Sequence, residues 1–201
     1  MNSAKTYFDS VASGYAEKSE GGIWRWLRRR EASVIASMIG SGPLGDALEL
    51  GSGSGYYTRR LSDLGCRSLV AVDFSPKMVE SIRIPGCVKK KADIQNFVSE
   101  DRFDLILCAG ALEFLEHPEV IFGNASKMLR TKGSLIVLLP LQSLLGRFYR
   151  LFHRSHHVPV RLFRLQEVDQ WAKAAGLIPV RRQKAALFSL ALKFSKSEDH
   201  E

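Results

Sequence analysis

The stretch Asp46-Ala-Leu-Glu-Leu-Gly-Ser-Gly-Ser-Gly-Tyr-Tyr-Thr58 constrains the fold more than any other part of the chain, because it joins an apolar run to a glycine-spaced turn and then to a helix-like pattern. Ala47, Leu48 and Leu50 suit a buried parallel strand. Gly51, Gly53 and Gly55 allow backbone torsions and close approaches that a Cβ would block. A strand that turns through glycine into a helix also aims unpaired N–H groups into the crevice above it, which is the geometry of a nucleotide site. A dinucleotide fingerprint requires Gly or Ala at the sixth place from Gly51, and Tyr56 stands there, too large for close helix packing. An NAD enzyme is therefore disfavoured.

What stands instead, Glu-x-Gly-x-Gly-x-Gly beginning at Glu49, resembles motif I of the class I S-adenosylmethionine-dependent methyltransferases. Other stretches join it. Ser68 to Asp73 reads as an apolar second strand ending in an acid 18 residues past Gly55. An acid at that place can take both ribose hydroxyls of a nucleotide, or it can merely cap the helix that begins at Pro76. Phe74 and Met78 are an aromatic and a thioether able to pack on an adenine face. Gly86 to Lys91 is a short third strand, and Ala92-Asp93-Ile94 after it resembles the family's motif II. Phe103 to Gly110 is a fourth buried strand. By resemblance, the cofactor's methionine end lies along Gly51, Ser52 and Gly53, bordered by Ala109 at the end of strand four. Its ribose lies on Asp73, and its adenine lies among Phe74, Met78, Asp93 and Ile94. Glu49 accepts a hydrogen bond near the amino-acid end.

The end of strand four, Cys108-Ala-Gly-Ala111, lacks the Asn/Asp-Pro-Pro-Tyr sequence that methylases of exocyclic base amines use to hold a flipped base. Ala111-Leu-Glu-Phe-Leu-Glu-His-Pro118 resembles a phrase of quinone-biosynthesis-type methyltransferases, with Phe114 where many relatives have His. His117, just before Pro118, reads as a turn residue. Val120 to Leu129 continues as a helix and Gly133 to Pro140 as a fifth strand. Gln166 to Ala175 is a last helix, and Leu177 to Arg182 with Ala186 to Phe194 an antiparallel hairpin.

Toward the N-terminus, Tyr7, Phe8, Val11 and Tyr15 recur at helical spacing, and the phrase resembles the N-terminal lid of small-molecule methyltransferases, where Tyr15 would help close over the cofactor. Ile23 to Ile39 reads as a second helix with Ile23, Leu27, Val34, Ile35 and Met38 as its apolar stripe. The whole forms an expected α/β, Rossmann-like, doubly wound seven-stranded sheet with an antiparallel last strand and an N-terminal helical lid. One domain covers residues 1–201: the lid over 1–42, the cofactor-binding core over 43–140, a basic lid insertion over 141–165, and the last helix and hairpin over 166–194.

At 201 residues the chain suits one domain. Its net charge of +8 is unevenly spread: no acid occurs between Glu119 and Glu167, while Lys127, Arg130, Lys132, Arg147, Arg150, Arg154, Arg161 and Arg164 all fall there. Such a field attracts anions or a membrane surface, or it is a solvated face. From Leu141 the apolar residues Leu141, Leu144, Leu145, Phe148, Leu151 and Phe152 follow one helical stripe, with Arg147, Arg150 and Arg154 on another face. The segment is expected over the acceptor pocket, with His156 and His157 or Glu113 as base for a hydroxyl acceptor. Cys66, Cys87 and Cys108 suit reduced core thiols, and no metal-ligand spacing appears.

The expected function is transfer of a methyl group from S-adenosylmethionine, leaving S-adenosylhomocysteine, to an anionic or lipophilic small molecule. An RNA-directed methyltransferase or a noncatalytic nucleotide-binding protein are the alternatives. With no signal-peptide core and no long apolar run, a cytoplasmic location is expected, with peripheral contact to an anionic membrane. Nucleic acid is the less favoured partner, and the oligomeric state stays open.

Overall fold

A computed structural model describes residues 22–143, 146 and 160–197. The expected helix around Thr6 to Tyr15, the stripe from Leu144 to Phe152, and His156 and His157 lie outside the described residues.

The chain enters through α1 (Gly22–Ile39), then runs β1 (Asp46–Leu50), α2 (Tyr56–Asp63), β2 (Ser68–Asp73), α3 (Pro76–Ser81) and β3 (Cys87–Lys91). β4 (Phe103–Ala109) leads through a 3₁₀ turn (Leu112–Phe114) to α4 (Glu119–Met128) and β5 (Leu129–Pro140), and α5 (Leu165–Ala174) precedes the hairpin of β6 (Leu177–Lys184) and β7 (Ser189–Lys196). The strands form one sheet in the order β3-β2-β1-β4-β5-β7-β6. β1 to β5 pair in parallel, and β7 runs antiparallel to both β5 and β6.

The apolar runs anticipate this layering. β1, β2 and β4 are buried on both faces, which is why they read as continuous hydrophobic stretches and not as alternating ones. One core layer holds Val34, Ile35 and Met38 of α1, with Tyr57 and Leu61 of α2, against Ala47, Leu105, Leu107 and Ile136 of the sheet. The opposite layer packs Phe122 and Met128 of α4 and Val168 and Ala172 of α5 against Leu48, Leu50, Ile106 and Val137. Phe163 sets an aromatic edge against Trp171 at 6.1 Å between centroids, and Phe122 packs on the same ring at a tilt, at 5.8 Å. Of the three cysteines, Cys108 alone is fully buried; Cys66 and Cys87 are half-buried and all three are free thiols.

Strand five begins four residues before the expected Gly133. Its pairing with β4 jumps from Phe103–Leu129 to Leu105–Ser134, with Lys132 at φ 66° in the interruption. A Cβ on Gly133 would come within 2.8 Å of the Arg130 carbonyl and 3.0 Å of that of Phe103, so the bend needs glycine there. The bend delivers Arg130, whose guanidinium lies 2.7 Å from Asp46 and 2.7 Å from Asp104. Asp46 also takes two bonds from Arg67 and one from Ser68. This ionic knot sits at the amino-terminal ends of β1 and β4, and Gly45 leaves the room that the Asp104 carboxylate occupies.

The two guanidinium partners hold the Asp46 carboxyl below the ordinary carboxylate value of 3.8. A depressed folded-state pKa contributes stability above the unfolded value that is lost as the pH falls below it. Acid unfolding is therefore expected to steepen below about pH 4, and Asp46→Asn should blunt that limb in thermal melts recorded across pH.

Candidate functional site

The strand order reverses between β1 and β4, so the turns at their carboxyl ends part and leave a crevice there, the place where open α/β sheets bind ligands. Gly51, Gly53, Gly55 and Gly110 around it all have positive φ, at 75°, 51°, 91° and 69°. Gly51 and Gly53 serve different needs. A Cβ on Gly51 would fall 2.4 Å from the Ala111 Cβ, with Ile94 Cδ1 at 3.7 Å, so Gly51 lets the two turns and the buried Ile94 meet. A Cβ on Gly53 would meet nothing within 4 Å. Its backbone faces open space.

Asp73 at the end of β2 is buried, and its carboxylate clasps the turns on either side. Oδ2 accepts the Gly53 N–H at 2.8 Å and Oδ1 accepts the Ser75 N–H at 2.9 Å. The cap of α3 comes from Ser75, whose Oγ accepts from Met78 N, and not from Asp73.

Glu49 is completely enclosed and receives the Thr58 hydroxyl at 2.5 Å. Burial, reinforced by the Asp73 charge, raises its pKa to about 8. Glu113 lies on the 3₁₀ turn beyond β4, 5% exposed, with Oε2 lacking any hydrogen-bond partner. Its Oε1 lies 4.0 Å from where a Cβ on Gly110 would stand. Burial pushes its pKa to about 8 as well. Both carboxyls cost more when ionised in place, so their contribution to stability is present below about pH 4.5 and lost as the pH rises through about 8. With the acid limb set by Asp46, maximal stability of the ligand-free chain is expected near pH 4 to 5, and Glu49→Gln should flatten the decline toward pH 8 in the same melts.

The remaining sequence candidates are distributed unequally. Ser52 is buried beside the glycine turn with its Oγ unpartnered. Ala109 ends β4 and Phe74 is half-buried just past β2. Asp93 is exposed and accepts the Gln95 N–H at 3.0 Å, closing its own turn. Met78 is only 1% exposed. It is closed beneath α3 and presents almost no surface to a ligand, because its position on that short helix points inward. His117 is exposed, its Nδ1 3.2 Å from Glu119, and its backbone N–H donates to Gln95, as befits a turn residue. Tyr15, His156 and His157 lie outside the described residues.

Several site residues escape sequence reasoning. The guanidinium groups of Arg28 and Arg60 lie over the Tyr56 ring, at 5.3 and 5.7 Å from its centroid, and the buried Tyr56 hydroxyl is unpartnered. Glu31 accepts hydrogen bonds from Ser189 at 2.7 Å and Tyr57 at 3.2 Å, and its pKa is raised, mainly by burial. A signal for Glu31 was present: it is the lone acid of α1 and shares a helical face with Leu27 and Ile35. The Arg161 N–H donates to the Glu113 carbonyl at 2.9 Å, and Leu141 bridges Phe163. The basic segment thus leaves and rejoins the fold at the carboxyl end of β5, against the turn that carries Glu113. Among the described residues no cluster of acids, histidines and cysteines could hold a metal ion.

A family model described as a methyltransferase domain matches residues 23–181. Nodulation protein S of Rhizobium tropici is 31% identical over 117 residues, 54% of this chain and 49% of that protein. Trans-aconitate 2-methyltransferase of Enterobacter sp. (strain 638) is 29% identical over 116 residues, covering 56% and 46%. The chain spans about half the length of these curated relatives. The N-methyltransferase NodS from Bradyrhizobium japonicum WM9, solved in complex with S-adenosyl-L-homocysteine, shares the fold at a TM-score of 0.67 and 24% identity, over 85% of this chain and 87% of that one. The crevice at the sheet's switch point, its glycine turn clasped by a strand-end acid, and a family match across most of the described fold agree, and the chain belongs to the methyltransferase-domain family.

Proposed function

We propose that the protein transfers a methyl group from S-adenosylmethionine to a small-molecule acceptor. The observation that carries this reading is the glycine turn itself: Gly53 bears an open backbone face, is held at its N–H by Asp73, and lies one residue from the unpartnered Ser52 hydroxyl. Orphaned buried donors beside bare backbone suit a polar ligand that lies along the chain. These residues fit the cofactor. Gly51 to Gly53 would hold its methionine end, Asp73 its ribose hydroxyls, and Phe74 and Ile94 its adenine, with Asp93 at the rim. When bound, S-adenosylmethionine supplies a sulfonium-activated methyl group. The chain's own task is then to position the acceptor, exclude water and take its proton, and the Glu113 carboxyl, with Oε2 unpartnered, is suited to the last of these.

A small-molecule acceptor is supported by the character of the relatives, one of which is named for trans-aconitate. The basic interval from Lys127 to Arg164 favours one that is anionic or lipophilic. Calorimetric titration tests the cofactor assignment: S-adenosylmethionine and S-adenosylhomocysteine should bind, and NAD and a short RNA should not. Failure of the first two to bind overturns the proposal. Incubation with labelled methyl donor and metabolite pools then identifies the acceptor.

Asp73→Ala should weaken cofactor binding by about 1.5 to 3 kcal/mol, the range for hydrogen bonds to a charged group. Asp104→Ala breaks the ionic knot at the opposite end of the sheet and should leave affinity unchanged. Equal losses in calorimetry at both positions would mean that the ligand does not lie at the carboxyl ends of the strands.

A further inference from the structure

We infer that the arginine-rich first half of α1 and the turn joining β6 to β7 form a docking face for an anionic lipid bilayer, placed beside the mouth of the crevice. The methyltransferase reading supplies what that mouth does. The face itself is read from exposure, charge and position.

Position comes first. Glu31 of α1 bonds Ser189, which pairs with Pro140 at the carboxyl end of β5, and Tyr57 at the start of α2. Farther along the same helix, Ser37 and Met38 receive Arg181 and Lys193, well down the hairpin. α1 therefore climbs toward the carboxyl end of the sheet as it is followed back to its N-terminus, and the residues before Glu31 stand at the crevice rim. Arg28 over the Tyr56 ring marks that rim.

Exposure and charge follow from the helix period. Leu27 turns into the core, which sends Trp26 outward at 53% exposure. Arg29 and Arg30 lie one turn on from Trp26, on the same side. The segment from Gly22 to Arg30 contains Arg25, Arg28, Arg29 and Arg30 and no acid, and all but Arg28 are exposed. Arg30 joins α1 to the hairpin turn: its guanidinium lies 5.9 Å from the Trp26 ring centroid and its Nε donates to the Ala185 carbonyl at 3.1 Å. That turn exposes Leu187 at 47%. The Phe188 carbonyl next to it accepts the Leu141 N–H, so the turn also abuts the root of the basic segment that follows β5.

The combination selects the partner. A solvated helix face has no need of an exposed Trp among arginines, and a nucleic-acid backbone would use the charge but gain nothing from Leu187. An anionic bilayer uses both, with Trp and Leu in the interfacial zone and arginines at the phosphates. Among the described residues no helix is long and apolar enough to cross a membrane, so the contact is one of surface docking.

Sedimentation of the full chain with vesicles tests this. Phosphatidylcholine vesicles containing roughly one-third phosphatidylglycerol should bind it, vesicles of phosphatidylcholine alone should not, and salt should weaken the binding. Each surface arginine contributes about fivefold, so Arg25→Gln with Arg29→Gln should weaken vesicle binding roughly 25-fold. Leu187→Gln should weaken it further, whereas calorimetric affinity for S-adenosylmethionine stays unchanged in every variant. Equal binding to neutral and anionic vesicles, binding to a single-stranded RNA oligomer in preference to vesicles, or vesicle binding that ignores the two arginines would each overturn the inference. Absence of cofactor binding with vesicle binding intact would overturn only the methyltransferase reading.

Discussion

Gly53→Val is expected to reduce binding of S-adenosylmethionine and S-adenosylhomocysteine by at least about 100-fold while leaving the domain folded. Two effects act together. The added Cβ meets no protein atom within 4 Å, so nothing in the fold opposes it directly; it projects into the space that the ligand backbone contact requires. The φ of 51° also disfavours a β-branched residue, at a cost of about 1 to 2 kcal/mol that the turn relieves by leaving its ligand-binding conformation. That relief would strain the Gly53 N–H to Asp73 bond. Thermal melting separates the two, since a folded variant with a modestly lowered midpoint and no calorimetric heat is the expected pair of results. Unchanged affinity would remove the glycine turn from the cofactor site.

Glu113→Gln is expected to lower turnover about 10²- to 10⁴-fold for an acceptor that must lose a proton, the usual contribution of a positioned general base. Burial pushes this carboxyl up to about 8, so the parent protein should gain activity as the pH rises through about 8 and the base ionises. The Gln variant should lack that limb. Its affinity for the cofactor should stay the same, which distinguishes proton transfer from a general disturbance of the crevice. The variant should also be no less stable than the parent at neutral pH, because Gln removes a desolvated acid whose Oε2 has no partner. A large loss of stability with the pH profile intact would make Glu113 a packing residue and return the choice of base to His156 and His157.

The ionic knot and the buried acids give the molecule opposite pH responses at its two ends. Asp46, held by Arg67 and Arg130 at the amino-terminal edge of the sheet, favours its ionised form, whereas Glu31, Glu49 and Glu113 at the carboxyl-terminal edge favour protonated ones. The ion pairs of this knot thus lie at one edge, and the unpartnered buried atoms of Ser52, Tyr56 and Glu113 at the other. That division is the pattern expected of a fold whose site is completed by its ligand.

The sequence by itself determined the elements and much of their arrangement. β1, β2 and β4 are enclosed on both faces, so their apolar runs are unbroken, and α1 faces the sheet along one stripe, so Leu27, Val34, Ile35 and Met38 recur at helical spacing. The glycine turn was legible because positive φ leaves few other residues available at Gly51, Gly53 and Gly55. Only the tertiary structure decided which of the acids matter and how. Asp73 and Asp93 look alike as strand-end acids, yet one is buried and ties the glycine turn after β1 to the turn after its own strand, while the other is exposed and closes its own turn. Glu113 and Glu116 lie three residues apart in one phrase, and one is buried with its Oε2 unpartnered while the other is exposed. Met78 reads as a ligand contact by residue type, and only the fold shows that it faces inward from α3 at 1% exposure. Periodicity records which side of an element turns inward, but hydrogen-bond satisfaction and desolvation depend on groups brought from distant strands, as Glu31 meets Ser189 across 158 residues, and those partners exist only in the folded chain.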